Sequence, residues 1–324
     1  MSVPAAATGA MKAIRFHAYG EPADVLRLEQ AEIPSPGPDR IRVRVEACGL
    51  NPADWALCRG LFAGGLPRGV GLDVSGVVDA VGEGVTDVSI GDPVLGSADF
   101  GGYASAGLAD HAVLNHWTPV PPGLGMTEAA ALTMAVETAF RSVQALGVTK
   151  DQTLLVHGGG TMMGFAAVQM ALMRGAAVIA TAGDTFTERL RGMGAKVTSY
   201  GPGMVQRVRE IAGGSPDLIL DTAGGALADL LAIAGGDPRR ILTISSDFQA
   251  ANALGVRHSF TEGVPLQYDK LRDFARLAAD GRFAIPIART FALEDWREAL
   301  DISLSGRAHG KLMILPAAAA TPAD

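Results

Sequence analysis

The sequence predicts an α/β protein with two units, an antiparallel barrel-like unit and a doubly wound parallel sheet. Three observations predict this fold class. Short β-type runs separated by Gly, Pro and Asp fill the first part of the chain. Beyond "VPPGLG", strand-like and helix-like segments alternate instead. A glycine-rich turn joins the first of these later strands to its helix.

The barrel-like unit is predicted from five β-type runs, which are "MKAIRF", "VLRLEQAEI", "RIRVRVEACG", "DVSGVVDAVG" and "DHAVLN". The segments "IPSPGPD" and "VPPGLG" indicate loops, because Pro and Gly interrupt regular structure. The closing stretch 287–316 reads as strand, helix and strand. We expect it to return to the first unit.

The parallel sheet is predicted from an alternation that begins at "TLLVHG" and continues through "AAVIATAG", "KVTSYG", "PDLILDTAGG" and "RRILTISS", with a helical segment after each. The predicted division places a flexible tail at 1–10, the first unit at 11–130 and 285–315, the second unit at 131–284, and another flexible tail at 316–324.

Composition excludes several classes of function. The 324 residues are 48% hydrophobic and 19% charged, which allows a sizeable core. The net charge of −7 argues against nucleic acid as a partner. No apolar run reaches the roughly 18 residues of a membrane span, and no signal peptide is recognisable. Two cysteines are too few for a four-cysteine zinc site, and a reducing cytoplasm is the expected location.

The segment "VHGGGTMMGFAAVQMA" indicates a dinucleotide-binding turn. Gly158 would form the turn, Gly160 would let the backbone approach pyrophosphate, and Gly164 would sit where helix meets strand. The helix N-terminus would then offer N–H groups to the anion. Thr161, Met162 and Met163 occupy places where small residues are usual; the threonine hydroxyl could donate to phosphate. The alternative is a sheet that binds no nucleotide.

The end of the second parallel strand bears on cofactor choice. An acidic residue there would bind the ribose 2′-hydroxyl of NAD, but the strand ends in neutral Thr181, which favours NADP. Asp184 follows three residues later and could reverse that preference. NADP is therefore the expected cofactor, with NAD as the alternative.

Five segments together resemble the zinc-free quinone oxidoreductase branch of the medium-chain dehydrogenase/reductase superfamily. They are residues 11–55, "GLDVSGVVDAVGEGVTDVSIGDPVLG", the glycine turn, "LILDTAGG" and "GRAHGK". The resemblance covers residues 11–315. It implies a GroES-like catalytic unit, a Rossmann cofactor-binding unit and a homodimer.

The resemblance also implies that no metal takes part. Zinc relatives carry Cys in the place of Asn51 and a His–Glu pair in the place of Leu72 and Asp73. Leucine cannot ligate zinc and asparagine is a poor ligand.

The resemblance implies three catalytic-site residues. Asn51 would lie near the nicotinamide and substrate, where its amide could hold a carbonyl, the ribose or a water; alternatively, it stabilises the turn before Pro52. Thr138 matches a threonine that approaches the nicotinamide amide. Glu137 departs from the family, which has an apolar residue there; it could assist a proton step or point to solvent.

Further cofactor contacts are implied at the adenosine and nicotinamide ends. Tyr200 matches a phosphate-contacting tyrosine and Arg307 a phosphate-facing arginine, with Lys311 close by. Ser245 ends the fifth strand, where it could line the nicotinamide pocket.

The expected function is NADPH-dependent, metal-independent reduction of a quinone or an activated C=C bond by hydride transfer. The alternatives are an enoyl-thioester reductase or biosynthetic tailoring enzyme on the same fold, and a non-catalytic NADP(H)-binding sensor or scaffold. The expected partner is a small-molecule substrate, with no nucleic acid and no membrane.

Overall fold

The computed structural model describes residues 9–245 and 247–316, which form two compact units. The first contains the described residues of Met1–Met134 and Leu271–Asp324, and the second is Ala135–Lys270. The predicted tails fall largely outside the described residues, but Ala10 already belongs to a strand. The sequence predicted that the second unit extends to residue 284, but it ends at Lys270. The helix Leu271–Ala279 belongs to the first unit, where it packs on the strand His111–Pro119.

The first unit contains two sheets, as the β-type runs predicted. The smaller has strand order β2-β1-β4. Its strands are β1 (Ala10–Phe16), β2 (Leu26–Glu32) and β4 (Arg68–Gly69). The larger has the order β14-β15-β3-β5-β6-β7. Its strands are β3 (Ile41–Gly49), β5 (Asp73–Val81), β6 (Pro93–Ala98), β7 (His111–Pro119), β14 (Ile287–Ala292) and β15 (Lys311–Leu315).

Strand β3 closes the larger sheet into a barrel. Its first residues, from Ile41 to Arg44, pair antiparallel with β7, while its last two, Cys48 and Gly49, pair with β15. Along its length it also pairs with β5. Two register shifts in that pairing supply the bend that closure requires. The barrel core is formed by buried apolar side chains.

Four α-helices lie in the described part of the first unit, and a fifth continues into the second. The four are α1 (Pro22–Val25), α2 (Pro52–Cys58), α9 (Leu271–Ala279) and α10 (Trp296–Leu304). The crossing helix is α3 (Met126–Leu146), whose first nine residues belong to the first unit.

The second unit is a six-stranded sheet in which every strand pair is parallel, with the order β10-β9-β8-β11-β12-β13. Its strands are β8 (Thr153–His157), β9 (Ala177–Thr181), β10 (Lys196–Thr198), β11 (Leu218–Asp221), β12 (Ile241–Thr243) and β13 (Arg257–His258). Its helices are α4 (Met162–Met173), α5 (Asp184–Gly192), α6 (Met204–Ala212), α7 (Leu227–Ile233) and α8 (Phe248–Leu254).

The order of these strands creates a switch point. From β8 the chain winds outward through β9 and β10, and then returns to β11 on the opposite side of β8. In such sheets, ligands bind beyond the carboxyl ends of the strands at this point. The side chains of Leu154, Leu155 and Val156 are fully buried, as expected for a central strand covered on both faces. The sequence-predicted doubly wound sheet is therefore confirmed.

Candidate functional site

The glycine turn between β8 and α4 has the geometry of a phosphate-binding loop. Gly158 has φ +84°, and a Cβ added there would lie 2.7 Å from the Cβ of Ala223. A Cβ on Gly164 would lie 2.2 Å from the carbonyl oxygen of Gly158, so only glycine lets the helix approach the strand this closely. Met162 and Met163 form the first turn of α4, whose N–H groups have no acceptor earlier in the helix. The loop can therefore receive an anion.

Thr161 is the N-cap of α4, and its hydroxyl is bonded within the turn. Its hydroxyl oxygen accepts the backbone N–H of Gly164 at 3.0 Å. The same hydroxyl donates to Oγ1 of Thr222 at 2.9 Å. Because a threonine hydroxyl has one proton, the predicted donation to phosphate is replaced by this internal bond. The threonine thus stabilises the turn at the place where a small residue was expected.

Thr181, at the end of β9, is also directed inward. Its Oγ1 accepts the backbone N–H of Gly158 at 3.0 Å and lies 2.8 Å from Nδ1 of His157. The side chain is fully buried. Burial lowers the pKa of His157, so the neutral ring is favoured beside the loop. Thr181 therefore fixes the first glycine of the turn from the neighbouring strand.

The remaining predicted cofactor contacts are distributed over both units. In the second unit, Asp184 begins α5 and is exposed, and the side chain of Tyr200 is 61% exposed after β10. Ser245 follows β12, and its hydroxyl accepts from Oγ1 of Thr243 at 3.0 Å. In the first unit, Arg307 is exposed in the turn before β15.

A buried polar cluster joins three elements of the barrel unit. Nζ of Lys311 donates to Oδ1 of Asn51 at 2.5 Å and to Oδ2 of Asp73 at 2.6 Å. The Asn51 amide donates to the same carboxylate oxygen at 3.0 Å. The other oxygen of Asp73 accepts the backbone N–H of Met134 at 2.9 Å. All three side chains are almost completely excluded from solvent, so each charge depends on the others.

Lys311 was expected beside Arg307 as a phosphate contact, but its ammonium lies inside this cluster. It is the first residue of β15, and β15 pairs with the end of β3 next to β5. This pairing brings Lys311 to Asp73, which precedes it by 238 residues. Gly49 makes room for the lysine, because a Cβ there would lie 2.7 Å from Cε of Lys311.

Asn51 caps α2 through a reciprocal arrangement with Asp54. The Asp54 carboxylate accepts the backbone N–H of Asn51 at 2.7 Å, and the backbone N–H of Asp54 donates to the backbone carbonyl of Asn51 at 3.0 Å. The other oxygen of Asp54 accepts the backbone N–H of Gly71 at 2.8 Å. Burial raises the pKa of Asp54 to about 7, although both backbone donors oppose that rise. The Asn51 amide is directed into the unit by these contacts.

Glu137 does not point to solvent, which was one of the two expectations for it. Its carboxylate is buried in an ion pair with Arg141, one helical turn along α3, at 2.7 Å. Thr138, the neighbouring residue, donates its hydroxyl to Oε2 of Glu137 at 3.3 Å. The opposite charge of Arg141 compensates the Glu137 carboxylate, which explains why a charged group is tolerated at this buried position.

Sequence reasoning missed four residues that build these sites, namely Asp54, Arg141, His157 and Thr222. Two carried a readable signal. Asn51 and Asp54 have the spacing of a capping box, and Glu137 and Arg141 have the i, i+4 spacing of a helical ion pair. His157 and Thr222 had none, because their partners come from other strands.

Residues 9–245 and 247–316 contain neither a grouped set of metal ligands nor a helix able to cross a membrane. Within that range, no three His, Cys, Asp or Glu side chains are grouped as a metal site would require. No helix in the same part of the chain has the length and apolarity needed to span a membrane.

Two family descriptions match the chain. Residues 37–135 match "Alcohol dehydrogenase GroES-like domain", and residues 193–314 match "Zinc-binding dehydrogenase". These matches fall on the barrel unit and on the later part of the parallel sheet with the returning strands. The GroES-like and Rossmann assignments of the two units are therefore confirmed.

Individual proteins extend the similarity over the whole chain. The "Chloroplast envelope quinone oxidoreductase homolog" of Arabidopsis thaliana is 28% identical over 94% of this chain and 98% of its own length. The solved quinone oxidoreductase of Coxiella burnetii superposes with a TM-score of 0.80 at 25% identity, over 95% of this chain and 99% of the other.

A third relative matches only a part of each protein. The "Phthioceranic/hydroxyphthioceranic acid synthase" of Mycobacterium tuberculosis is 39% identical over 181 residues, which are 53% of this chain and 8% of the synthase. The chain thus corresponds to a small portion of that relative. The family matches, the full-length relatives and the shared two-unit fold together show that this chain belongs to the medium-chain dehydrogenase/reductase superfamily, in its quinone oxidoreductase branch.

Proposed function

We propose that the chain is an NADPH-dependent oxidoreductase that reduces a quinone or an activated C=C bond, such as an enone or alkenal, without a metal. The observation that carries this proposal is the loop from Gly158 to Gly164. It combines a left-handed turn, a close helix–strand approach and the open first turn of α4 at a strand switch point. That combination suits the pyrophosphate of a dinucleotide.

In this proposal the protein binds and orients the cofactor and the substrate, and the cofactor supplies the reducing equivalent. When bound, the reduced nicotinamide supplies a hydride. The N-terminus of α4 would hold the pyrophosphate, while Thr161 and Thr181 keep the loop in shape from inside. Orientation of this kind is the main catalytic contribution expected from the protein.

NADPH is the proposed form of the cofactor. The hydroxyl of Thr181 is engaged within the sheet, so no acidic side chain ends β9 to bind a ribose 2′-hydroxyl. The exposed ring of Tyr200 is available beside Gly183, whose added Cβ would lie 3.8 Å from the tyrosine oxygen. Exposed Asp184 is the feature that would favour NADH instead.

Zinc does not fit the residues that stand where zinc relatives hold their ligands. Leu72 offers no donor atom, and oxygens of both Asn51 and Asp73 are bound to the ammonium of Lys311. Burial keeps the nearby thiol of Cys48 protonated by raising its pKa well above the usual value. This donor set supports a reaction without a metal.

A homodimer in the cytoplasm is the proposed state of the protein. Strand β13 is the edge of the parallel sheet, and Phe260 and Leu266 follow it with side chains 56% and 58% exposed. An open edge beside exposed apolar side chains suits association with a second copy. Light scattering during gel filtration tests this, and a monomeric mass at all concentrations would contradict it.

Reduction of an unsaturated thioester is the second candidate, favoured by the partial match to an acid synthase. In the deciding experiment, NADPH or NADH is added to the purified chain and binding is followed by nicotinamide fluorescence. Quinones, enones and enoyl thioesters are then added one at a time, and oxidation of the cofactor is followed by the loss of its absorbance. Binding of NADPH and its steady consumption with a quinone or enone support the proposal. Consumption only with thioesters favours the second candidate. Tight binding without consumption indicates a sensor or scaffold, and no binding of either cofactor rejects the reductase.

A further inference from the structure

The ion pair between Glu137 and Arg141 is the most deeply buried one in the described part of the second unit. Each side chain is only 5% exposed. The guanidinium donates Nε to Oε1 of the carboxylate at 2.7 Å and Nη2 to Oε2 at 3.3 Å. This two-point contact fixes the orientation of both planar groups.

The same pair binds both ends of one segment, residues 259–267, which runs from the edge strand β13 towards the end of the unit. At one end, Nη1 of Arg141 donates to the carbonyl oxygen of Ser259 at 3.0 Å. At the other, the backbone N–H of Gln267 donates to Oε1 of Glu137 at 3.3 Å. The guanidinium also lies 5.8 Å from the ring centre of Phe260, within cation–π range.

We propose that Glu137 and Arg141 form a clamp that positions the 259–267 segment, and that Glu137 is a positioning residue for Thr138 that carries no proton during turnover. The carboxylate has four donors around its two oxygens, from Arg141 twice, from Gln267 and from Thr138. These contacts occupy the lone-pair sites through which a proton would be taken up.

The clamp also sets the hydrogen-bonding character of Thr138. Because the threonine hydroxyl donates its proton to Glu137, its remaining lone pairs can only accept. An acceptor at this position suits an amide N–H of a bound ligand. The part of the inference that concerns turnover rests on the proposed reductase function, whereas the part that concerns the segment does not.

Hydrogen–deuterium exchange of the intact protein tests the clamp without any activity. In Glu137→Gln, peptides covering 259–267 should exchange at least about tenfold faster than in the wild type, because opening is no longer opposed by the ion pair. Arg141→Lys keeps the positive charge but lacks the forked donors of the guanidinium, so the exchange rate of the same peptides should rise by less. This second variant tests the clamp if Glu137→Gln fails to fold. Glu188→Gln is the matched control, since it breaks a helical Glu–Arg pair that is exposed. Unchanged exchange in both clamp variants would overturn the proposal.

The pH dependence of turnover separates positioning from proton transfer. Glu137→Gln should raise KM for NADPH and leave the shape of the kcat–pH profile unchanged. Loss of one ionisation from that profile would assign the proton to Glu137 and overturn its positioning role. Absence of turnover in the wild type would reject the proposed function, and the exchange result would still decide whether the clamp exists.

Discussion

Replacement of Lys311 by methionine is the sharpest test of the buried cluster in the barrel unit. Methionine keeps most of the side-chain length and removes only the ammonium. Asp73 would then be left as a buried carboxylate, because its side chain is 0% exposed and that of Lys311 is 2% exposed. Breaking a buried pair by removing one partner costs about 3–5 kcal/mol of unfolding free energy. The Lys311 ammonium donates to Asn51 at 2.5 Å and to Asp73 at 2.6 Å, so we expect a loss in this range.

Urea unfolding followed by tryptophan fluorescence measures this loss in the correct unit. All three tryptophans, Trp55, Trp117 and Trp296, lie in the first unit, so the signal reports on the barrel. Lys12→Met is the matched control, because it removes an ammonium from the exposed pair with Glu294. An exposed pair of this kind contributes little, so the control should unfold at nearly the same urea concentration as the wild type.

The double variant Lys311→Met with Asp73→Asn identifies the cause. Removing both charges should restore at least about half of the lost free energy, since the main penalty comes from the uncompensated carboxylate. Unfolding of Lys311→Met at the same urea concentration as Lys12→Met would refute this explanation. A double variant with a lower unfolding free energy than Lys311→Met alone would refute it equally.

Two further predictions concern Asp54 and the glycine turn. The folded protein binds the Asp54 proton more tightly than the unfolded chain, with a pKa of about 7 against 3.8, so its contribution to stability is complete below about pH 4 and is lost as the pH rises through 7. Between pH 4 and 8, the wild type should therefore lose up to about 4 kcal/mol of unfolding free energy relative to Asp54→Asn. Plots of unfolding free energy against pH that run parallel for the two proteins would contradict this. Gly164→Ala should weaken NADPH binding at least about tenfold, because its Cβ meets a backbone oxygen at 2.2 Å. Gly192→Ala is the matched control, because its new Cβ meets nothing within 4 Å; equal losses of NADPH affinity in fluorescence titrations of the two variants would refute the steric explanation.

Local patterns in the sequence were enough to predict the architecture. The apolar run of β8, the glycines after it and the alternating segments that follow are short-range signals, because each depends on neighbours within a few residues. The same holds for the proline- and glycine-punctuated runs of the barrel. The predicted parallel sheet and the predicted glycine turn from strand to helix consequently agree with the structure.

Hydrogen-bond partners could not be predicted where they come from distant segments. The neighbours of Thr161 in the loop suggested a phosphate donor, yet its hydroxyl donates to Thr222, which directly follows the adjacent strand β11. The sequence alone left Glu137 either as a solvent-facing group or as a participant in a proton step. Its burial follows from the 259–267 segment, which contacts the Glu137–Arg141 pair on α3.

The sequence by itself determined the fold class, the two units, the position of the glycine turn and the family to which the chain belongs. Periodicity, glycine placement and motif spacing carry that information locally. Tertiary structure alone decided that Lys311 neutralises Asp73, that Asn51 faces inward and that the Glu137–Arg141 pair is buried against a distant segment. The physical reason is that a buried charge needs a compensating partner, and strand pairing supplied that partner for Asp73 from 238 residues away.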